Sequence, residues 1–377
     1  MTAALDFNRP TVGSLTGCTA DRGMLEAALE AGLLLSAGGS GRASVARHRK
    51  IGEAALESGE VRFAAVSELQ DDDQLIVATG VGAPGQARKN VGPQDCVEAA
   101  KLLVRSTGIK PAGIIPGHVP GFYAWLQAAV MQVPVIDVAA NGRGHPTVKM
   151  GGMGYAGRPD LMITQAGSGG RAEDGSLVRV VAEGNIVVTS NIMRQAAVQN
   201  GGLIMAARGP LPVSWVRVHG AVGAISFQLE LGRRMLDAGN DAERRIEAVV
   251  AATGGVLAGI GEVSMKSVLY DQGFETGEIR IRSERGELVV GVCNEYMTLT
   301  CGDERLATFP DLIATVDPRN GAPLAISELE PCSPVAVIAA SKRNFPIGSG
   351  VLDPNVYPEI EERMGIEIAR YALDPKA

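Results

Sequence analysis

Between Gly117 and His145 the chain carries His118, Asp137, Asn141, Arg143 and His145, and a second polar pair, Asn294 and Glu295, interrupts an otherwise apolar run. These types suit proton transfer to and from a bound molecule. Imidazole changes charge near neutral pH, a carboxylate orients or accepts a proton, and the planar guanidinium of Arg143 can grip a carboxylate or carbonyl with two parallel hydrogen bonds. Arg143 read without a ligand is a surface ion pair, and the two histidines are solvated loop residues. A bare carboxylate such as Glu295 inside a β pattern is costly unless it is paired or opens onto a cavity, so it either lines a site or pairs with an arginine such as Arg280 or Arg282.

The elements around these residues can be read from the same text. Ala112 to Ile115 and Val133 to Val138 are short apolar runs closed by turn chemistry, and Tyr123 to Met131 between them has helical character. Such a unit is a right-handed parallel crossover, whose ligands collect beyond the carboxyl ends of the strands. His118 leaves the first strand and the Asp137 to His145 loop leaves the second, so both groups can face one crevice. Asp21 to Leu35 predicts a helix, followed by a Gly-rich turn, Ala37 to Gly41, and a second helix over Ser44 to Ser58. Gly39 and Ser40 in that turn either hold an anion or carbonyl oxygen at the helix start or simply make a tight connection. His48 is placed on the outer face of that helix.

Further along, Val61 to Val66 and Gln74 to Thr79 predict strands, the loop Gly80 to Pro84 faces the crevice, and Asp95 to Arg105 is a helix. Gly151 to Gly175 lacks periodicity. Strands are expected at Leu177 to Val181 and Asn185 to Val188, and helices at Val188 to Gly201, Gly220 to Gly239 and Asp241 to Thr253. From Gly255 to Val337 short alternating runs predict β structure, and Tyr357 to Leu373 a closing helix. The expected architecture is an α/β N-terminal domain with a parallel or mixed sheet (residues 1–175) and a β-rich C-terminal domain, barrel or sandwich, with helical insertions (176–377), the crevice lying between them.

Composition removes other classes. The 377 residues are 46% hydrophobic and 20% charged, enough for two full cores and too apolar for disorder. The formal charge of −7 comes without a basic stripe, so nucleic acid and anionic membranes are not expected partners. No stretch has the apolar length of a membrane helix, and a cytoplasmic homo-oligomer is expected. The cysteines (Cys18, Cys96, Cys293, Cys301, Cys332) are scattered without a CxxC pair, which suggests free thiols, Cys293 in the core.

PVIDVAANGRGHP at 134–146 is similar to the Pro-Val-Val-Asp-Ala-Asp-Gly-Met-Gly-Arg segment of the S-methyl-thiohydantoin desulfurase domain family, and CNEYMTL with FPDLIATVDPRNGAPL at 293–324 resembles it more strongly. LEAALEAGLLLSAGGSG and the helix around Ser226 add to the resemblance, which covers nearly the whole chain. The sequence departs from the family in its crevice. Gly117, His118, Val119, Pro120 and Gly121 stand where the family has a Glu-Ile-Gly-Gly turn, and Ala139, His145 and Thr147 replace an Asp, a Phe and a Glu. The resemblance implies an α/β domain plus a β-rich domain, and a hydrolase in which water displaces sulfur from a small thiohydantoin-like heterocycle to leave a hydantoin. Opening of a cyclic amide ring, or a non-catalytic subunit of a hydantoinase-like assembly, are the alternatives.

Such a displacement needs an activated water, donors for the charge that develops, and a proton for the leaving sulfur. One expectation is a divalent, zinc-type metal ion on His118, His145 and Asp137, although no HxH or HExxH spacing is present. The other is His118 or Asp137 as a simple general base. Glu295 then orients a ring N–H or carries the leaving group's proton.

Overall fold

The structure, a computed structural model, describes residues 15–82 and 90–374. The expected crevice loop at Gly80 to Pro84 therefore lies partly outside the described residues. The chain begins with α1 (Arg22–Leu35), started by Asp21, whose carboxylate accepts the Met24 N–H at 2.7 Å. Then come α2 (Val45–Ser58), β1 (Phe63–Ala64), β2 (Gln74–Gly82), α3 (Pro93–Thr107), β3 (Gly113–Pro116), α4 (Phe122–Met131), β4 (Val135–Ile136) and β5 (Val138–Ala139). These are followed by β6 (Met162–Gly169), β7 (Val178–Asn185), α5 (Ile186–Gln199), β8 (Leu203–Pro212), α6 (Val213–His219), β9 (Ala221–Val222), α7 (Ala224–Asp237) and α8 (Ala242–Thr253).

The first sheet has seven strands in the order β1-β4-β3-β2-β8-β6-β7. β3, α4 and β4 form the expected parallel crossover, with Ile114 opposite Val135. β8 runs antiparallel to β2 and to β6, so the sheet is mixed and draws strands from both sides of residue 175. Two of its strands, β6 and β8, were not expected. β6 (MITQAGSG) lies in the stretch that reads as irregular, because its buried positions are filled by glycine, serine and glutamine rather than by alternating large apolar groups. Smallness has a packing reason there: a Cβ on Gly167 would lie 2.6 Å from Met193 Cε of α5. The runs read as two strands at 177–181 and 185–188 are one strand, β7, with Val187 and Val188 already inside α5.

The second sheet contains β10 (Val256–Asp271), β11 (Phe274–Ser283), β12 (Gly286–Cys293), β13 (Glu295–Cys301), β14 (Glu304–Thr308), β15 (Leu312–Val316) and β16 (Pro334–Ala340). Its order, β14-β13-β12-β11-β10-β16-β15, is antiparallel throughout and curves as a half-barrel around Val263, Ile279, Val290, Leu299 and Val337. The expected closing helix is two short ones, α9 (Pro358–Met364) and α10 (Ala369–Ala372), separated at Gly365, whose φ of 67° ends the first.

α1 joins the two halves. Leu25, Leu29 and Leu33 pack into the core of the first sheet, while Ala31, Leu34 and Leu35 pack with Phe227, Leu231, Leu312 and Ile338 against the second. A helix apolar on both sides is buried on both sides. Its C-terminal end and the Gly-rich turn that follows are thereby fixed at the seam.

Candidate active site

The Gly-rich turn is stitched to the second domain by its own carbonyls. Ala37 O accepts the Tyr296 N–H at 2.8 Å and Gly38 O accepts the Ile326 N–H at 2.9 Å, while Leu35 O takes the Gly144 N–H at 2.9 Å. Beside this turn is a cavity of about 80 Å³. Gly39 and Ser40, the end of β2 from Thr79 to Gly82, His118, Tyr123, the His145 to Val148 segment and Glu295 line it. It lies beyond the carboxyl ends of β2 and β3, as parallel crossovers dictate, and it lies at the seam because Glu295 belongs to the second sheet.

His118 and His145 come together edge to face, with ring centroids 5.5 Å apart and planes at 82°. His118 Nδ1 is 2.6 Å from Val119 O and His145 Nδ1 is 3.4 Å from Arg143 O. Carbonyls only accept, so the hydrogen-bond network assigns the N–H to Nδ1 and the lone pair to Nε2 in both rings. Gly151 packs beside His145 Nε2, where a Cβ would stand 2.3 Å from that nitrogen. Burial lowers the pKa of both imidazoles, with Arg143 adding to the effect on His118, and with His118, Arg208 and Arg143 adding to it on His145. Both rings are neutral at pH 7.

Glu295 follows a reversal that the sequence does not announce. The run CNEYMTL reads as one strand, yet it turns at Asn294, which sits at φ 59° and pairs with Glu275 as if its side chain were backbone: Asn294 Oδ1 accepts the Glu275 N–H at 2.9 Å. Asn294 Nδ2 reaches Pro146 O at 3.5 Å, so this residue shapes the wall rather than entering the cavity. Glu295 itself is buried, and its Oε2 has no hydrogen-bond partner. Burial pushes its carboxyl up to about 8, against the pull of Arg143 and Arg194 and with a smaller push from Glu275. Glu295 is a neutral acid at pH 7. It does not pair with Arg280, which binds Glu278 and Glu287 instead.

Three expected site residues are used elsewhere. The Asp137 carboxylate accepts the backbone N–H groups of Ile225 and Ser226, each at 3.0 Å, and the Ser226 hydroxyl, so it anchors the start of α7. The His118, His145 and Asp137 set expected for a zinc-type ion is therefore not assembled. Among the described residues no group of three or more His, Cys, Asp and Glu side chains is placed to hold a metal. Arg143 is fully buried and its guanidinium donates to Gly144 O at 2.9 Å, Asp311 O at 2.5 Å and Tyr296 O at 3.0 Å, with the Phe309 ring 4.7 Å beneath it. It fastens the two domains and does not line the cavity. Asn141 holds Arg143 O and the Gly348 N–H.

Other residues enter the site unannounced. His48, expected on an outer face, is buried and lines the cavity with Nε2 at 3.2 Å from Ser40 Oγ. Arg47 and Arg49 flank it in the sequence. The usable signal was its position in the first turns of the helix that the Gly-rich loop opens. Arg47, Tyr123, Arg194 and Arg208 also line the wall. Arg194 donates to Gly273 O and Pro146 O, and Arg208 to Val148 O and Gly151 O, so each shapes the loops around His145.

Fold and cavity together define a two-domain chain whose titratable groups meet at the domain seam. Residues 27–172 match the S-Me-THD-like, N-terminal domain, and residues 184–345 match the S-Me-THD-like, C-terminal domain. The chain belongs to the S-methyl-thiohydantoin desulfurase family. In the solved structures it is similar to a protein from Chromobacterium violaceum known by X-ray crystallography, with a TM-score of 0.63 and 20% identity over 91% of this chain and 96% of that one. That likeness is one of fold. No curated protein matches the chain.

Proposed function

We propose that the chain is a hydrolase that replaces sulfur by oxygen at the carbon between the two ring nitrogens of a thiohydantoin-type heterocycle. The observation that carries this reading is the pairing, in one cavity, of a neutral acid and a neutral base. Glu295 is a carboxylic acid with an unpartnered oxygen, and His118 is an imidazole with its Nδ1–H engaged and its Nε2 lone pair available. Proton transfer of this kind contributes about 10²- to 10⁴-fold to rate. Membership of the desulfurase family supplies the substrate class.

For an S-methylated ring the steps balance as follows. His118 Nε2 takes a proton from water as its oxygen bonds to the ring carbon, and the C=N electron pair moves onto ring nitrogen. The nitrogen lone pair then re-forms the double bond and expels methanethiolate, which takes the proton of Glu295. The resulting hydroxyl-substituted ring shifts to the hydantoin: the imidazolium of His118 protonates ring nitrogen and the hydroxyl returns its proton to Glu295. One water is consumed, one methanethiol leaves, and both residues end as they began. His145, packed edge to face against His118, holds the orientation of that ring.

The test is thiol release from S-methyl-thiohydantoin, read with a thiol reagent and by mass of the hydantoin formed. Turnover that disappears in His118→Gln and Glu295→Gln supports the reading. Ring opening without thiol release, or no turnover across a thiohydantoin panel, overturns it.

A further inference from the structure

The first sheet ends in a strand whose outer edge is open. β7 pairs with β6 in unbroken register from Val178 to Asn185, and among the described residues no strand lies on its other side. Its outward N–H and C=O groups form a template for a further strand, and proteins that stay monomeric blunt such an edge with a proline, a bulge or a very short strand. None of these is present in the eight residues of β7, VRVVAEGN. The opposite edge of the same sheet, β1, is two residues long.

The rim around this open edge is apolar on both faces. Arg179, Val181 and Glu183 are exposed on the face that α3 covers, since Val181 lies opposite Ala166, which packs with Ala99 and Leu103 of that helix. Leu177 before the strand and Met162, opposite Asn185, are exposed at the two ends of this row. On the other face Met193 and Ala197 of α5 pack with Val178 and Val180, while Val188 and Ile192, one turn apart on that helix, are uncovered. Large apolar side chains gathered on one rim mark an interaction surface.

We infer that β7 is the interface of a homodimer, in which two copies pair their β7 strands antiparallel about a two-fold axis through Val181 and join their sheets into one. Charge complementarity selects a second copy as the occupant and also fixes the register. With Val181 opposite the partner's Val181, Arg179 faces the partner's Glu183 and Glu183 faces the partner's Arg179, so one contact is made twice, as a two-fold axis demands. On the α5 face the same register sets Val180 against the partner's Ala182 and Val178 against the partner's Gly184, large groups against small ones. Moving the register by two residues puts Arg179 against the partner's Val181 or the partner's Asn185, and both ion pairs are lost. Neither charge is spent within the chain. Arg179 Nε is 3.8 Å from Glu98, which Arg105 already holds at 2.8 Å, and Glu183 has no ion pair among the described residues. Arg179, Val181 and Glu183 do not line the seam cavity, so the dimer stands apart from the chemistry assigned there.

The experiment is sedimentation of the full chain over a micromolar concentration series, with circular dichroism as the control for folding. The wild type should sediment as a dimer, at twice the 39.2 kDa of the chain. Arg179→Glu sets carboxylates against each other at both pairs and should weaken the dimer roughly 10- to 100-fold. Val181→Lys, which brings two ammonium groups face to face on the axis, should do the same. Adding Glu183→Arg to Arg179→Glu exchanges the charges and should return the dissociation constant to within about 3-fold of the wild type. A monomeric wild type, a dimer indifferent to Arg179→Glu and to Val181→Lys, or a double variant as weak as Arg179→Glu overturns the inference. The first of these results would leave the edge to a strand of another protein.

Discussion

Glu295 of the second domain rests directly on Gly39 of the first: a Cβ on Gly39 would lie only 3.2 Å from Glu295 Oε1. The acid and its seat are thus supplied by different halves of the chain. The pH dependence of turnover follows from what that seat does to the carboxyl. His118 must be neutral and its pKa is lowered, so the acid limb of kcat/KM should fall below the ordinary histidine range. Glu295 must be protonated, so the alkaline limb should fall near 8. A bell with those limbs supports the assignment; an alkaline limb unaffected by Glu295→Gln removes it.

The same carboxyl makes a stability prediction of definite sign. Its pKa rises from 4.5 when unfolded to about 8 when folded, so its contribution is fully present below 4.5 and is lost as pH rises through that window. Each unit in the window costs about 1.4 kcal/mol at most. Glu295→Gln, which mimics the protonated acid, should match the wild type near pH 4 and exceed it in urea unfolding at pH 8. Equal stability at both pH values would show that the carboxyl is solvated in the folded state.

His118→Gln should lower kcat by about 10²- to 10⁴-fold with little change in melting temperature, because a loop imidazole adds little to the core. With the Asp137 carboxylate on α7, exhaustive chelation should leave kcat unchanged. Activity lost to a chelator and regained with zinc alone would reinstate the metal.

Asp137→Ala should act on stability instead. It leaves the N–H groups of Ile225 and Ser226 without their acceptor, at a cost of about 2 kcal/mol in urea unfolding, while kcat per folded molecule persists. A large fall in kcat with unchanged unfolding would return Asp137 to the chemistry.

The parallel crossover was legible because Ile114, Ile115, Val135 and Ile136 are apolar runs bounded by prolines, and the second sheet because its strands alternate. β6 and β8 were not. The first replaces side chains by space, and the second carries a buried arginine, Arg208, that only the loops around His145 explain. In the site, His118, His145, Glu295 and the Gly39 and Ser40 turn are legible as chemistry at the ends of elements. The roles of Arg143 and Asp137 are not, because their partners, Tyr296, Asp311, Ile225 and Ser226, are remote in sequence. Residue type told what these groups can bind, and only the fold tells what has already bound them.

Arg143 Nη2 holds Tyr296 O, the carbonyl of the residue next to Glu295, and its Nη1 holds Asp311 O. A single guanidinium therefore rivets the proton donor's strand to the loop that carries His145. Loosening this rivet pulls acid and base apart before either half of the chain melts. Turnover then becomes a gauge of closure: Arg143→Lys, which touches no substrate, should lose activity on mild warming at temperatures where the circular dichroism of both sheets is still intact.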